Sequence, residues 1–118
     1  MKSNKELKDA YKQKKFNIGV FQIRNTVNGK VLVSSSVNLD AIFNRIRAEL
    51  KFNGHRNEQL QKEWNAFGEE KFKFEVLSEI GQEENDRVDY ESEVKKLEAM
   101  FIEEIQPFGE KGYNTFKA

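Results

Sequence analysis

The chain contains 118 residues, and its 20 Lys and Arg residues balance its 20 Asp and Glu residues, so its formal net charge is zero. It has no cysteine and no apolar run of the roughly 20 residues that a membrane-spanning helix needs, which excludes disulfide-stapled and membrane-spanning classes. A chain of this length is expected to form one domain around a single hydrophobic core. We expect a cytoplasmic protein.

The charges are distributed unevenly along the chain. Residues 1–73 contain 15 basic and 8 acidic residues, whereas residues 74–118 contain 5 and 12, so these two parts carry net charges of +7 and −7. Ordinary solvated surfaces and head-to-tail pairing of two copies are both compatible with such segregation. A third interpretation is phosphate binding, which predicts nucleic-acid contacts from Lys14, Lys15, Arg45, Arg47, Lys51 and Arg56.

The first regular structure of the core is predicted to be a β-hairpin. Residues 19–24 alternate apolar and polar side chains, and residues 31–33 form a second short apolar run. Asn28 and Gly29 lie between the two runs, and this pair is typical of a tight turn in which both residues have positive φ. Residues 1–17 precede the hairpin as a basic extension, for which the i, i+4 spacing of Leu7 and Tyr11 favours a helix.

Two helices are predicted to follow the hairpin. Asn38 can cap the first helix, whose apolar stripe consists of Leu39, Ile42, Phe43, Ile46 and Leu50. Residues 54–57 interrupt the pattern, after which Leu60 and Trp64 form the apolar face of a second helix that ends at Gly68.

A third strand and a last helix complete the predicted elements. Residues 72–77 alternate as a strand does. Val94, Leu97, Phe101 and Ile105 then keep the helical period until Pro107. The prediction is an α+β domain over residues 18–118, with a small, three-stranded, mainly antiparallel sheet flanked by helices.

Several short motifs occur along these elements in a fixed order. They are Gly19-Val20-Phe21, Asn28-Gly29-Lys30, Val31-Leu32-Val33-Ser34, the helix at 60–65, the strand at 72–77, Glu98-Ala99-Met100-Phe101-Ile102 and Gly112-Tyr113-Asn114. In order and spacing they resemble the GIY-YIG nuclease superfamily from about residue 19 to residue 114. The resemblance implies the same small sheet flanked by helices.

The resemblance also implies where a catalytic site would lie. Members of this superfamily cleave phosphodiesters with a divalent metal held by one glutamate, a tyrosine that helps to activate water, and basic groups near the phosphate. In this chain the family's catalytic positions are apolar: Phe21 and Leu32 replace two tyrosines, Ile42 an arginine and Ile46 a histidine. Glu98 matches the metal-binding glutamate, and Asn114 is also retained.

These substitutions predict a catalytically degenerate domain that acts by binding nucleic acid or a protein partner, with neither enzymatic activity nor a cofactor. A second hypothesis is an active DNA endonuclease with a rearranged site, in which Glu98 holds Mg²⁺ or Mn²⁺ and Arg45, close to the face of Ile42, contacts a phosphate. The lone His55 we interpret as a solvated turn residue.

A third hypothesis is a self-associating or partner-binding module without a nucleic-acid role. Leu32, Ile42 and Ile46 would form an apolar patch in place of a charged cleft. The N-terminal extension or another chain could cover this patch. Alternatively, the three side chains pack inward and fill the former cleft as core.

Overall fold

The computed structural model of the chain describes residues 17–82 and 88–115. The predicted N-terminal helix with Leu7 and Tyr11 lies outside the described residues, as do Lys14 and Lys15. None of the helices in the described ranges is long and apolar enough to cross a lipid bilayer.

Three strands form one antiparallel sheet. They are β1 (Gly19–Asn25), β2 (Val31–Ser36) and β3 (Phe72–Glu79), in the order β2-β1-β3. Ile23 on the central strand faces Leu32 on one side and Phe74 on the other. The pairing with β3 shifts register between Val20 and Phe21, as a β-bulge does. The predicted sheet is confirmed.

The β1–β2 connection differs from the predicted tight turn. Gly29 has a φ of 79°, but Asn28 is not among the described residues with positive φ. The prediction of a two-residue turn in which both residues have positive φ is therefore wrong. The Gly29 N–H donates to the Asn25 carbonyl over 2.8 Å, which closes a wider loop. The cause is the Asn25 side chain, whose oxygen accepts from the Val27 N–H at 2.8 Å and holds the chain in this longer path.

Three α-helices complete the fold of the described residues: α1 (Leu39–Lys51), α2 (Glu58–Phe67) and α3 (Tyr90–Ile105). Each begins where a side-chain oxygen accepts from a backbone N–H of the first turn, and the capping residues are Asn38, Asn57 and Asp89. α2 ends at Gly68, and α3 ends at the left-handed Gln106 directly before Pro107. The structure therefore confirms the predicted α+β fold of three strands and three helices.

The sheet is covered on both faces. Because side chains alternate along a strand, Phe21 and Ile23 face one side and Val20 the other. The first apolar cluster lies under α1 and α2 and contains Phe21, Ile23, Leu39, Ile46, Leu50, Leu60, Trp64, Phe72 and Tyr113. The second lies under α3 and contains Ile18, Val20, Val31, Val33 and Val94.

Candidate functional site

Phe21 occupies the position at which the resemblance implies a catalytic tyrosine, and its side chain is 0% exposed. Its ring meets that of Phe43 edge to face, with 5.1 Å between centroids and an interplanar angle of 81°. Phe43 in turn packs on Phe74 with a centroid distance of 5.4 Å. The ring of Phe21 therefore contributes packing to the first cluster, and it carries no hydroxyl group that could assist proton transfer.

The other three substituted positions belong to the same cluster. Ile46 is 6% exposed, while Leu32 and Ile42 are half-buried and pack against the buried residues. Leu32 lies directly opposite Ile23 across the β1–β2 pair. The sequence left open whether Leu32, Ile42 and Ile46 form a patch covered by another segment or pack inward as core. Their positions agree with inward packing.

The predicted phosphate-binding side chains do not converge on the substituted positions. Arg45 is 72% exposed and lies 3.8 Å from the Glu49 carboxylate, whereas Ile42 packs toward the sheet. A three-residue step rotates a side chain by about 60° around the helix axis, so Arg45 neighbours Ile42 on α1 but extends into solvent. Its contact with a phosphate stays a prediction.

Arg47, Lys51 and Arg56 lie farther along the same helix and loop. The Arg47 guanidinium stands 4.5 Å from the centroid of the Phe74 ring, a cation–π distance. The Lys51 ammonium is 3.8 Å from the Glu69 carboxylate, and both side chains remain more than half exposed. Arg56 is exposed in the loop between α1 and α2.

Glu98, the candidate metal ligand, lies on α3 and faces the edge strand β2. Its Oε1 accepts a hydrogen bond from the Ser35 hydroxyl at 3.0 Å and lies 3.8 Å from the Lys95 ammonium. Ser34, the preceding residue on β2, pairs with Phe21 across the strands. Neighbouring strand residues point to opposite faces, so Glu98 and Phe21 lie on opposite sides of the sheet.

The described polar partners of Glu98 are thus one hydroxyl and one ammonium group. A single carboxylate supplies one of the oxygen ligands of Mg²⁺, which usually takes most of the others from water and substrate phosphates. Within residues 17–82 and 88–115, no group of three or more His, Cys, Asp or Glu side chains could hold a metal ion.

The retained Gly-Tyr-Asn motif lies along the free edge of β2. The Asn114 side chain donates to the Val33 carbonyl at 2.9 Å and accepts from the Val33 N–H at 2.8 Å, as a neighbouring strand would. The Tyr113 N–H donates to the Val31 carbonyl at 2.9 Å. A Cβ atom on Gly112 would lie 2.3 Å from the Pro107 carbonyl oxygen, so this approach requires glycine.

A buried polar network, which the sequence did not predict, joins this motif to the hairpin and α2. Asn25 is 0% exposed, and its amide donates to the Tyr113 hydroxyl at 3.0 Å and to the Glu63 carboxylate at 3.2 Å. The Tyr113 hydroxyl also donates to Glu63 at 3.0 Å, and the Lys30 ammonium lies 3.7 Å from the same carboxylate. Burial, assisted by the Glu63 charge, raises the pKa of Tyr113 to about 12.

His55 differs from its interpretation as a solvated residue. It is half-buried, and its ring Nδ1 accepts from the backbone N–H of Asn57 at 3.0 Å. The backbone N–H of His55 donates to the side-chain oxygen of Gln61 at 3.0 Å. Burial lowers the pKa of the imidazole, with the nearby Glu49 charge opposing that shift. The loop backbone needs partners in its interior, and the imidazole supplies one of them.

The sheet order, the three helices and the packing define a small α+β domain of nuclease-like architecture. Its structure is similar to that of the catalytic domain of the homing endonuclease I-TevI, with a TM-score of 0.69 and 28% identity over 85% of this chain and 99% of that one. A mutant of the same catalytic domain, described as that of an intron endonuclease, is similar with a TM-score of 0.70 and 27% sequence identity. The similarity covers 87% of this chain and 97% of the mutant domain.

No protein-family model and no curated protein matches the sequence. The structural similarity covers nearly the full length of the I-TevI domain, which is a GIY-YIG homing endonuclease. The chain belongs to the GIY-YIG superfamily.

Proposed function

We propose that this chain is a catalytically degenerate GIY-YIG domain that binds nucleic acid without cleaving it. The observation that carries the proposal is the complete burial of Phe21 at a family tyrosine position, in one apolar cluster with Ile46 and packed against Leu32 and Ile42. Its structural neighbours are catalytic domains of an endonuclease, which supports the choice of nucleic acid as the ligand.

The absence of cleavage follows from the chemistry of these side chains. Phosphodiester hydrolysis needs a group that takes a proton from water and a cation that stabilises charge on the phosphoryl oxygens. Phenylalanine, leucine and isoleucine offer neither. Glu98 is bonded to Ser35 and lies beside Lys95 on the opposite face of the sheet, so it does not supply the missing groups.

The charge pattern supports binding on the α1 side of the sheet. α3 covers the other face and carries five acidic residues against two lysines, which would repel phosphates. On the α1 side, Arg45 and Lys51 are exposed and Arg56 lies in the following loop. Residues 1–16 add six lysines against Glu6 and Asp9 in the sequence, and Lys14 and Lys15 stay predicted contacts.

A combined cleavage and binding assay tests the proposal. Supercoiled plasmid incubated with the protein and Mg²⁺ or Mn²⁺ should stay supercoiled, while labelled oligonucleotides should bind with an affinity that falls steeply as salt is raised. Arg56→Ala should weaken binding, whereas Lys96→Ala on α3 serves as the matched control and should not. Absence of binding at low salt would contradict the proposal.

The same assay separates the two other hypotheses. An active nuclease with a rearranged site predicts metal-dependent nicking that disappears in Glu98→Ala and decreases in Arg45→Ala. A self-association module predicts a mass that rises with concentration in sedimentation, together with no shift of an oligonucleotide.

A further inference from the structure

Phe52 is 85% exposed, more than any other large apolar side chain of the described residues. It is the C-cap of α1, and its N–H donates to the Ala48 carbonyl at 3.0 Å. Its apolar neighbours in sequence behave differently, since Leu50 is 1% exposed. An isolated apolar side chain on a surface is ordinary, so the inference depends on what surrounds the Phe52 ring.

The loop that carries Phe52 is held by hydrogen bonds on its inner side. Asn53 adopts a left-handed conformation with a φ of 61°, and its side chain accepts from the Asn65 amide at 2.9 Å. The Gly54 N–H donates to the Glu49 carbonyl at 2.7 Å, which ends the helix. The buried Gln61 side chain donates to the Leu50 carbonyl at 2.9 Å. The ring of Phe52 is therefore presented by a fixed backbone.

Two exposed cationic residues lie near Phe52 in the chain. Lys51 precedes it, and its ammonium is also 3.8 Å from Glu69, which brings the residues after α2 beside the end of α1. Arg56 follows four residues later and is exposed. Phe67, the last residue of α2, is 40% exposed near this junction. An aromatic face bordered by cations is the pattern that binds unpaired bases and their phosphates.

We propose that Phe52 stacks on an unpaired base of single-stranded nucleic acid, with Lys51 and Arg56 contacting the neighbouring phosphates. This inference rests on the proposed nucleic-acid binding and specifies its substrate class. A duplex hides the faces of its internal bases, whereas a single strand offers them, so an exposed ring distinguishes the two forms. Because every base has a π-face, we expect little sequence preference.

The experiment compares a labelled single-stranded oligothymidine with a duplex of equal length, using fluorescence anisotropy at low salt. Phe52→Ala should lower single-strand affinity about 5- to 150-fold and change duplex affinity little. Phe52→Leu should behave like the alanine variant, whereas Phe52→Trp should retain binding and show fluorescence quenching on addition of the single strand. Met100→Ala, which removes a 65% exposed apolar side chain from α3, is the matched control.

The outcomes separate this inference from the proposed function. If the wild type binds neither oligonucleotide, both fail. If the wild type binds and Phe52→Ala binds the single strand equally well, the stacking inference is overturned and the proposed function stands. If Phe52→Leu restores what alanine loses, or sedimentation shows that Phe52→Ala dissociates a dimer, Phe52 is an apolar protein contact and the inference is overturned. Unchanged circular dichroism and melting temperature show that each variant is folded.

Discussion

Restoring the family hydroxyl at position 21 tests whether this position belongs to the core or to a groove. The substitution Phe21→Tyr adds one oxygen to a ring that is 0% exposed and is packed against Phe43. A buried hydroxyl without a hydrogen-bond partner costs about 1–3 kcal/mol, and the added volume also strains a close-packed site. We therefore expect the free energy of unfolding to fall by about 1–3 kcal/mol.

The assay is urea unfolding followed by the fluorescence of Trp64, which is 6% exposed and packs on Phe72 at 5.3 Å. With a urea m-value of about 1–3 kcal/mol per molar, the midpoint should fall by about 1 M without a change in m. Phe74→Tyr is the matched control, because Phe74 packs against the same cluster but is only half-buried. We expect this variant to be nearly as stable as the wild type.

The reasoning would be refuted if Phe21→Tyr were as stable as the wild type. That result would mean that the hydroxyl finds water or a polar partner, as it would in an open groove. A gain of metal-dependent nicking in the same variant would refute it more directly, because it would show that one hydroxyl is enough to restore the site.

Two further predictions concern stability. Trp64→Ala should lower the free energy of unfolding by about 3–5 kcal/mol, since it empties a buried site between α2 and β3, and urea unfolding followed by circular dichroism measures this. Phe67→Ala, which removes a 40% exposed ring from the same helix, should cost much less, and equal losses would contradict the assigned core. Tyr113 has a pKa raised to about 12 in the folded state against about 10 when unfolded, so its stabilising contribution should be complete below about pH 10 and disappear as the pH rises toward 12. A spectrophotometric titration should show a late-ionising component that is missing in Tyr113→Phe, and identical titration curves for the two proteins would exclude this environment.

Local periodicity was sufficient to predict the elements of the fold. The alternation of residues 19–24 and 72–77 and the helical spacing from Leu39 to Leu50 depend only on which side chains face the core, and the structure has all three elements. The caps Asn38 and Gly68 were predicted for the same reason, since a cap acts on a backbone group only a few residues away.

The candidate site was less predictable because its decisive contacts are distant in sequence. Asn25 bonds to Glu63 and Tyr113 across 38 and 88 residues, and no local pattern indicates such a pair. The same asparagine also bonds locally to the Val27 N–H, and this short contact accompanies the wide loop that replaces the predicted Asn28-Gly29 turn. The exposure of Phe52 agrees with the helical period, because a step of two residues from the buried Leu50 turns a side chain toward the opposite face of the helix.

The way in which the C-terminal motif closes the sheet has a consequence for reading relatives of this domain. An uncovered strand edge invites pairing with other chains and aggregation, and here residues 112–114 shield β2 from it. Gly112, Tyr113 and Asn114 therefore have a role in protecting the sheet that does not depend on hydrolysis. A Gly-Tyr-Asn motif in a relative therefore indicates a covered sheet edge. Whether that relative can cleave a phosphodiester has to be judged from the side chains at the positions around Phe21.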